Sequence, residues 1–301
     1  MPILHSDTVN SPMVFWNLSK VQRGFNTMSS LLELAKSNYS SDPVTKPLRY
    51  YEIYEQALRE EGLSPKFILE IGVYEGESTK ALAKCFPTAH IVAVDLNLRK
   101  IDFSGYENVH YLQCDQTDSA KLQSICRDNF PDGVDLVIDD ASHIGHLSRL
   151  TFNSVFPHVR SGGLYIIEDW GTGYWDTWMD GGRFTDSIVP GSADKIAKKI
   201  PSHHFGMVGF VKSLVDYTAT DDIAKNQAVA HRLTSRLILY AGRFRSLRNI
   251  VERMPRVKLW LTGVHNVPAN TQNTPKSLSH AELPRLKSLK FFPGVCIASK
   301  A

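Results

Sequence analysis

Between residues 67 and 169 the apolar positions fall into short, nearly continuous runs separated by amphipathic stretches. FILEIGV (67–73), HIVAVDL (90–96), VHYLQCD (109–115), VDLVIDD (134–140) and GGLYIIED (162–169) read as buried strands. Between them, ESTKALAKCF (77–86), SAKLQSICRDNF (119–130) and IGHLSRLTFNSVFPHV (144–159) carry helical periodicity. LRYYEIYEQALREEG (48–62) predicts an amphipathic helix closed by Gly62 and Pro65, and MVGFVKSLVDYTA (207–219) predicts a further one. LKSLKFF (286–292) and GVCIASK (294–300) predict a hairpin around Pro293-Gly294. Strands that lack polar alternation and are spaced by helices are parallel and covered on both faces. The expectation is a doubly wound α/β domain with a mostly parallel seven-stranded sheet and a C-terminal antiparallel hairpin. Its ligands would bind beyond the carboxyl ends of the strands.

This pattern assigns residues 46–219 and 286–301 to one domain, 1–45 to an N-terminal extension with a helical pattern near MSSLLELAKS, and 220–285 to an insertion. Hydrophobic content of 43% and charged content of 22% are ordinary for a soluble globular protein. No apolar run approaches the ~18 residues of a membrane span. MPILHSDTVNSP has no basic region leading into an apolar core, so no secretory signal is expected. Cys85, Cys114, Cys126 and Cys296 are scattered, which reads as reduced thiols in a cytoplasmic protein. The net charge of +3 hides an asymmetry: residues 231–301 hold thirteen Lys/Arg and two acidic residues, Glu252 and Glu282. Arg232, Arg236, Arg243, Arg245, Arg248, Arg253 and Arg256 punctuate apolar residues at helical intervals. Such a face over 231–260 suits an anionic membrane surface, a partner or an anionic substrate; the plainest reading is a solvated face over a packed hairpin, or a homo-oligomer contact with the acidic body of a second subunit. No nucleic-acid-binding motif accompanies it, so no nucleic-acid partner is expected.

ILEIGVYEGES (68–78) runs a strand into Gly72, with Gly76 and Ser78 at the start of the next helix. Small residues there let a ligand approach the backbone and the helix N-terminus. The spacing is GxxxG, not GxGxxG, and Glu70 at the strand end repels a pyrophosphate but favours a cationic ligand. Asp95 ends the next strand, where a carboxylate can hold two ribose hydroxyls, and Asp115-Gln116 ends the third, where it can contact a base edge.

With EIGVYEGES stand VAVDL, IDDASH, GGLYIIED and GYW, in that order. The set resembles the Rossmann-like class I S-adenosylmethionine-dependent methyltransferases. More narrowly it resembles the metal-dependent sugar O-methyltransferases of macrolide biosynthesis, the macrocin and mycinamicin type. In that family EIGVxxGxS is followed by an Asp-ending strand, IDDGSH, and a glycine-glycine strand ending in IED near a YW pair. The likeness covers roughly 48–219 and 286–300, and Ala141 stands where the family commonly has glycine. It implies S-adenosylmethionine as cofactor, a sugar or glycosylated small molecule as acceptor, Asp140, Glu168 and Asp169 as metal ligands, and His143 as general base. One rival is an NAD-type oxidoreductase, disfavoured by GxxxG; another is a non-catalytic surface-binding protein that uses the basic segment.

The residues carry a reading of their own. Clustered carboxylates cannot all stay ionised without a counter-charge, and a hard divalent cation such as Mg²⁺ supplies one. Asp140, Glu168 and Asp169 end strands expected to be neighbours, so all three can converge on one ion. Asp139 either caps the following turn or points at the cofactor. The His143 imidazole can accept a hydroxyl proton near neutral pH, while His146 and His203-His204 receive no role. In DWGTGYWDTWMDGGRF (169–184), Trp170, Tyr174, Trp175 and Trp178 either stack on a sugar or cover the sheet edge.

Overall fold

The structure, a computed structural model, describes residues 30–37, 46–175, 177–181, 204–219 and 285–301. The helices are α1 (Leu31–Ser37), α2 (Leu48–Glu61), α3 (Glu77–Cys85), α4 (Ser119–Asn129), α5 (Gly145–Val155) and α6 (Gly206–Thr218). The strands are β1 (Phe67–Ile71), β2 (His90–Asp95), β3 (Val109–Gln113), β4 (Val134–Asp139), β5 (Val159–Glu168), β6 (Leu286–Phe292) and β7 (Val295–Lys300). They form one seven-stranded sheet in the order β3-β2-β1-β4-β5-β7-β6. Pairs from β3 through β5 are parallel, and β7 runs antiparallel to both β5 and β6. The expected fold class is therefore the observed one.

Two boundaries move for local reasons. The helix expected over 144–159 ends at Val155 and passes into a 3₁₀ turn, Phe156–His158. Pro157 cannot continue the α-helical hydrogen bonding, and β5 starts at Val159, earlier than the glycine pair suggested. The C-terminus of α2 behaves as expected: Gly62 adopts the left-handed conformation (φ 62°) and its N–H closes on the carbonyls of Leu58 and Arg59.

Successive side chains of a strand point to opposite faces, and the core divides accordingly. Ile68, Ile91, Leu136, Ile138, Leu164 and Ile166 pack under α1, α2 and α3, with Leu31, Tyr54, Leu58 and Leu82 from the helices. Leu69, Val92, Val137, Tyr165 and Ile167 pack under α4, α5 and α6, with Leu122, Phe152 and Phe210. Leu31 and Ala35 of α1, from the helical pattern in the N-terminal extension, are buried in the first of these cores. β1 leads to β2 and β3 on one side, whereas β4 lies on its other side. The chain reverses direction between β1 and β4, which opens a crevice at their carboxyl ends. Among the described residues no helix is long and apolar enough to cross a membrane. The expectations for residues 1–29, for His203 and for the basic segment 231–260 lie outside the described residues.

Candidate active site

A cavity of about 410 Å³ occupies that crevice, lined by Gly72, Asp95, Asp115, Gln116 and Asp140 among others. Gly72 has φ +92°, and a Cβ there would lie 2.1 Å from the Asp140 carbonyl oxygen. The β1 and β4 turns thus touch backbone to backbone, and only glycine fits. Asp95 accepts hydrogen bonds from the N–H groups of Val73 (2.9 Å) and Tyr74 (3.1 Å), and of Asn97 (3.1 Å), so it pins the glycine turn to β2. Asp115 accepts from the backbone and hydroxyl of Thr117 at 2.8 Å, which holds its carboxyl below the usual range. The Gln116 amide donates to the Thr151 hydroxyl and accepts from Ser142 N–H, each at 3.1 Å. Arg99 stacks on the Tyr74 ring at the rim, 4.3 Å from its centroid.

Four residues expected at the cofactor stand behind this wall. Glu70, Gly76, Ser78 and Asp139 are not among the lining residues. Glu70 is buried and accepts from the Thr79 hydroxyl at 2.5 Å. Gly76 is the left-handed N-cap of α3, packed against Ile101. Asp139 shares the sheet face of Val137 and Tyr165, accepts from the Tyr165 hydroxyl at 3.0 Å, and is pushed up to about 7 by burial.

The alternation that turns Asp139 down turns Glu70, Asp140 and Glu168 the other way, toward α2. They continue the face of Ile68, Ile138 and Ile166. Waiting there is Lys46, just before α2, whose side chain is 8% exposed. Its Nζ lies 2.6 Å from Glu168 Oε1, 3.1 Å from Asp140 Oδ2, 4.0 Å from Glu70 Oε1 and 3.2 Å from the Ser78 hydroxyl. The Tyr54 hydroxyl donates to Glu168, and the Tyr50 hydroxyl to Asp169. Burial works against the Lys46 charge, but Asp140 and Glu168 outweigh it and hold the ammonium protonated. Burial, with Asp140 beside it, pushes Glu168 well above the usual carboxylate range, and burial raises Glu70 as well. Among these groups Glu70 Oε1 is buried without a hydrogen-bond partner. The sequence reading missed Lys46, Tyr50 and Tyr54. Tyr50 and Tyr54, four apart on one face of α2 that continues into buried Ala57 and Leu58, with Lys46 four residues ahead of Tyr50, were the available signal.

On the solvent side of Asp140 stands His143. Its Nε2 is 3.5 Å from Asp140 Oδ1 and 3.7 Å from Asp169 Oδ2. One donor atom each from Asp140, His143 and Asp169 falls within 4.8 Å of the others, a set able to hold a metal ion. Carboxylate oxygens suit a hard divalent cation. His143 and Asp169 both adopt left-handed backbone, with φ 52° and 48°. The His143 carbonyl accepts from Trp178 Nε1 (3.0 Å) and the Thr172 hydroxyl (3.2 Å). Asp180 accepts from the N–H of Gly145 (2.6 Å) and of Met207 (2.9 Å), tying the aromatic loop to the starts of α5 and α6. In the same loop, Trp170 Nε1 donates to the Phe292 carbonyl at 3.0 Å and so covers the sheet edge.

Sheet order, crevice and acidic second strand end together define the class I methyltransferase architecture. Residues 51–220 match the FtsJ-like methyltransferase family, and the chain belongs to that family. It is 34% identical over 158 residues to mycinamicin VI 2''-O-methyltransferase of Micromonospora griseorubida, covering 50% of this chain and 34% of that protein. It is 33% identical over 170 residues to demethylmacrocin O-methyltransferase of Streptomyces fradiae, covering 54% and 38%. The chain thus spans little more than a third of the length of these curated relatives. Among solved structures, the MycE methyltransferase of the mycinamycin biosynthetic pathway, in complex with Mg and SAH, superposes with a TM-score of 0.54 at 21% identity, over 91% of this chain and 55% of that one.

Proposed function

We propose that the chain is a Mg²⁺- and S-adenosylmethionine-dependent O-methyltransferase acting on a hydroxyl of a sugar or glycosylated small molecule. The observation that carries this reading is the double membership of Asp140. It lines the nucleoside-sized cavity and also lies 3.5 Å from the His143 imidazole. A methyl donor in the cavity and a proton acceptor at His143 would thus flank one point. The names of these two curated relatives, mycinamicin VI 2''-O-methyltransferase and demethylmacrocin O-methyltransferase, favour the same chemistry.

In this reading Gly72 lets the β1 and β4 turns meet as the wall against which the cofactor lies, Asp95 accepts the ribose hydroxyls, and Asp115 with Gln116 borders the base. Glu70, Gly76, Ser78 and Asp139 act from behind the wall by holding the β1 end, the α3 N-terminus and the β4 end. Asp140, Glu168 and Asp169 would hold Mg²⁺, which when bound lowers the pKa of a coordinated hydroxyl. His143 takes the hydroxyl proton at Nε2, the nitrogen facing Asp140 and Asp169. Trp175, half-exposed on the aromatic loop, offers a face to the acceptor sugar.

Incubation with methyl-labelled S-adenosylmethionine and a panel of glycosylated macrolides and simpler glycosides tests this by mass spectrometry. The expected result is label on a sugar oxygen, lost with chelator and restored by Mg²⁺. Full transfer in excess chelator would remove the metal from the reading. Absence of both transfer and cofactor binding would remove the reading itself.

A further inference from the structure

We propose that Lys46 is a tethered counter-cation and that a divalent cation reaches the full carboxylate set only by displacing it. The inference rests on the metal-dependent reading above and adds how that metal site is controlled. Glu168 is 1% exposed, and its Oε1 is already bonded to Lys46 and Tyr54. Asp140 is split: Oδ2 faces Lys46 at 3.1 Å and Oδ1 faces His143 at 3.5 Å. With the ammonium in place, the donors left on the open side are Asp140, Asp169 and His143. Bringing Glu168 into the same coordination sphere puts a divalent cation beside the ammonium, and two positive charges at that separation in a buried site repel strongly.

Lys46 is built to leave. Its four-carbon stem is flexible, and it precedes the first residue of α2 by two positions, so no helical backbone hydrogen bond is broken when it swings. The Tyr51 and Tyr54 rings lie 5.9 Å and 5.8 Å from Nζ and offer a cation-π surface along its way. Glu70 Oε1, 4.0 Å from Nζ, has no hydrogen-bond partner, so the lysine leaves this pocket one donor short. The ammonium thus keeps the carboxylates assembled until a stronger cation arrives, and its cost is a weaker apparent metal affinity.

Titration with Mn²⁺ alone, followed by the loss of the free-ion electron paramagnetic resonance signal, reads this without any acceptor or turnover. Lys46→Met should bind Mn²⁺ at least about tenfold more tightly than the parent protein. A folded Lys46→Met with unchanged or weaker affinity overturns the proposal, because the lysine would then coexist with the metal or support it. If Lys46→Met does not fold, Glu168→Gln decides. Displacement makes Glu168 a ligand, so Mn²⁺ affinity should fall about tenfold or more; unchanged affinity overturns the proposal. Asp140→Asn is the control for the parent reading. If neither the parent, Lys46→Met nor Asp140→Asn binds Mn²⁺, the metal-dependent reading fails and takes this inference with it. If the parent binds, Asp140→Asn does not, and Lys46→Met matches the parent, only the displacement fails.

Discussion

A histidine in left-handed backbone is uncommon, and His143 keeps φ 52° because its carbonyl is held from two sides, by Trp178 and Thr172. That restraint aims the imidazole between Asp140 and Asp169 and not along α5, where His146 is exposed. If Nε2 takes the acceptor proton, His143→Ala should lower kcat by about 10²–10⁴-fold with cofactor affinity unchanged. The rising limb of the parent pH–rate profile should vanish in that variant. A near-normal rate with the same profile would make His143 a structural part of the turn. Identity and spacing exposed this histidine in the sequence. Its direction depends on an indole 35 residues away, which no local pattern encodes.

Gly72 does at the level of elements what His143 does at the level of one side chain: it lets two strand ends meet. A Cβ there would press on the Asp140 carbonyl at 2.1 Å in a backbone conformation (φ +92°) that side chains avoid. Gly72→Ala should cost about 3 kcal/mol or more of stability, seen as a lower urea midpoint, and should weaken cofactor binding as well. An unchanged midpoint would mean the β1 and β4 turns can part freely. The strands themselves were legible because a doubly covered parallel sheet leaves runs of Val, Ile and Leu with no polar break. The parity of the carboxylates was legible too, since Ile68–Glu70, Ile138–Asp140 and Ile166–Glu168 share a face and Asp139 does not. Lys46, Tyr50 and Tyr54 are hard to place from sequence because α2 precedes every strand of the sheet. Nothing local says which strand ends its buried face will cover, so the sequence offers Glu168 as a metal ligand without showing its contacts with Lys46 and Tyr54.

Taken whole, the molecule separates its chemistry from a second titrating spot at the opposite end of the sheet. His90, at the start of β2, stands 4.6 Å from His110, with Phe67 and Phe130 against it, and burial together with His110 lowers its pKa. The unfolded chain then binds the proton more readily than the folded one. Stability is full above the ordinary value of 6.5 and declines as pH falls through it. His90→Gln should flatten that decline between about pH 7 and pH 5 in urea unfolding, whereas an identical slope would place the loss elsewhere. The catalytic end is decided by what its crevice accepts. Calorimetric titration with S-adenosylhomocysteine and NAD, on the parent protein and on Asp95→Ala, asks this without knowledge of the acceptor. S-adenosylhomocysteine should bind in the micromolar range, NAD should not bind, and Asp95→Ala should lose about tenfold or more as the ribose hydroxyls lose a charged acceptor. Binding of NAD in place of S-adenosylhomocysteine, or an affinity indifferent to Asp95, would contradict the proposed methyl donor and its place between Gly72 and Asp95.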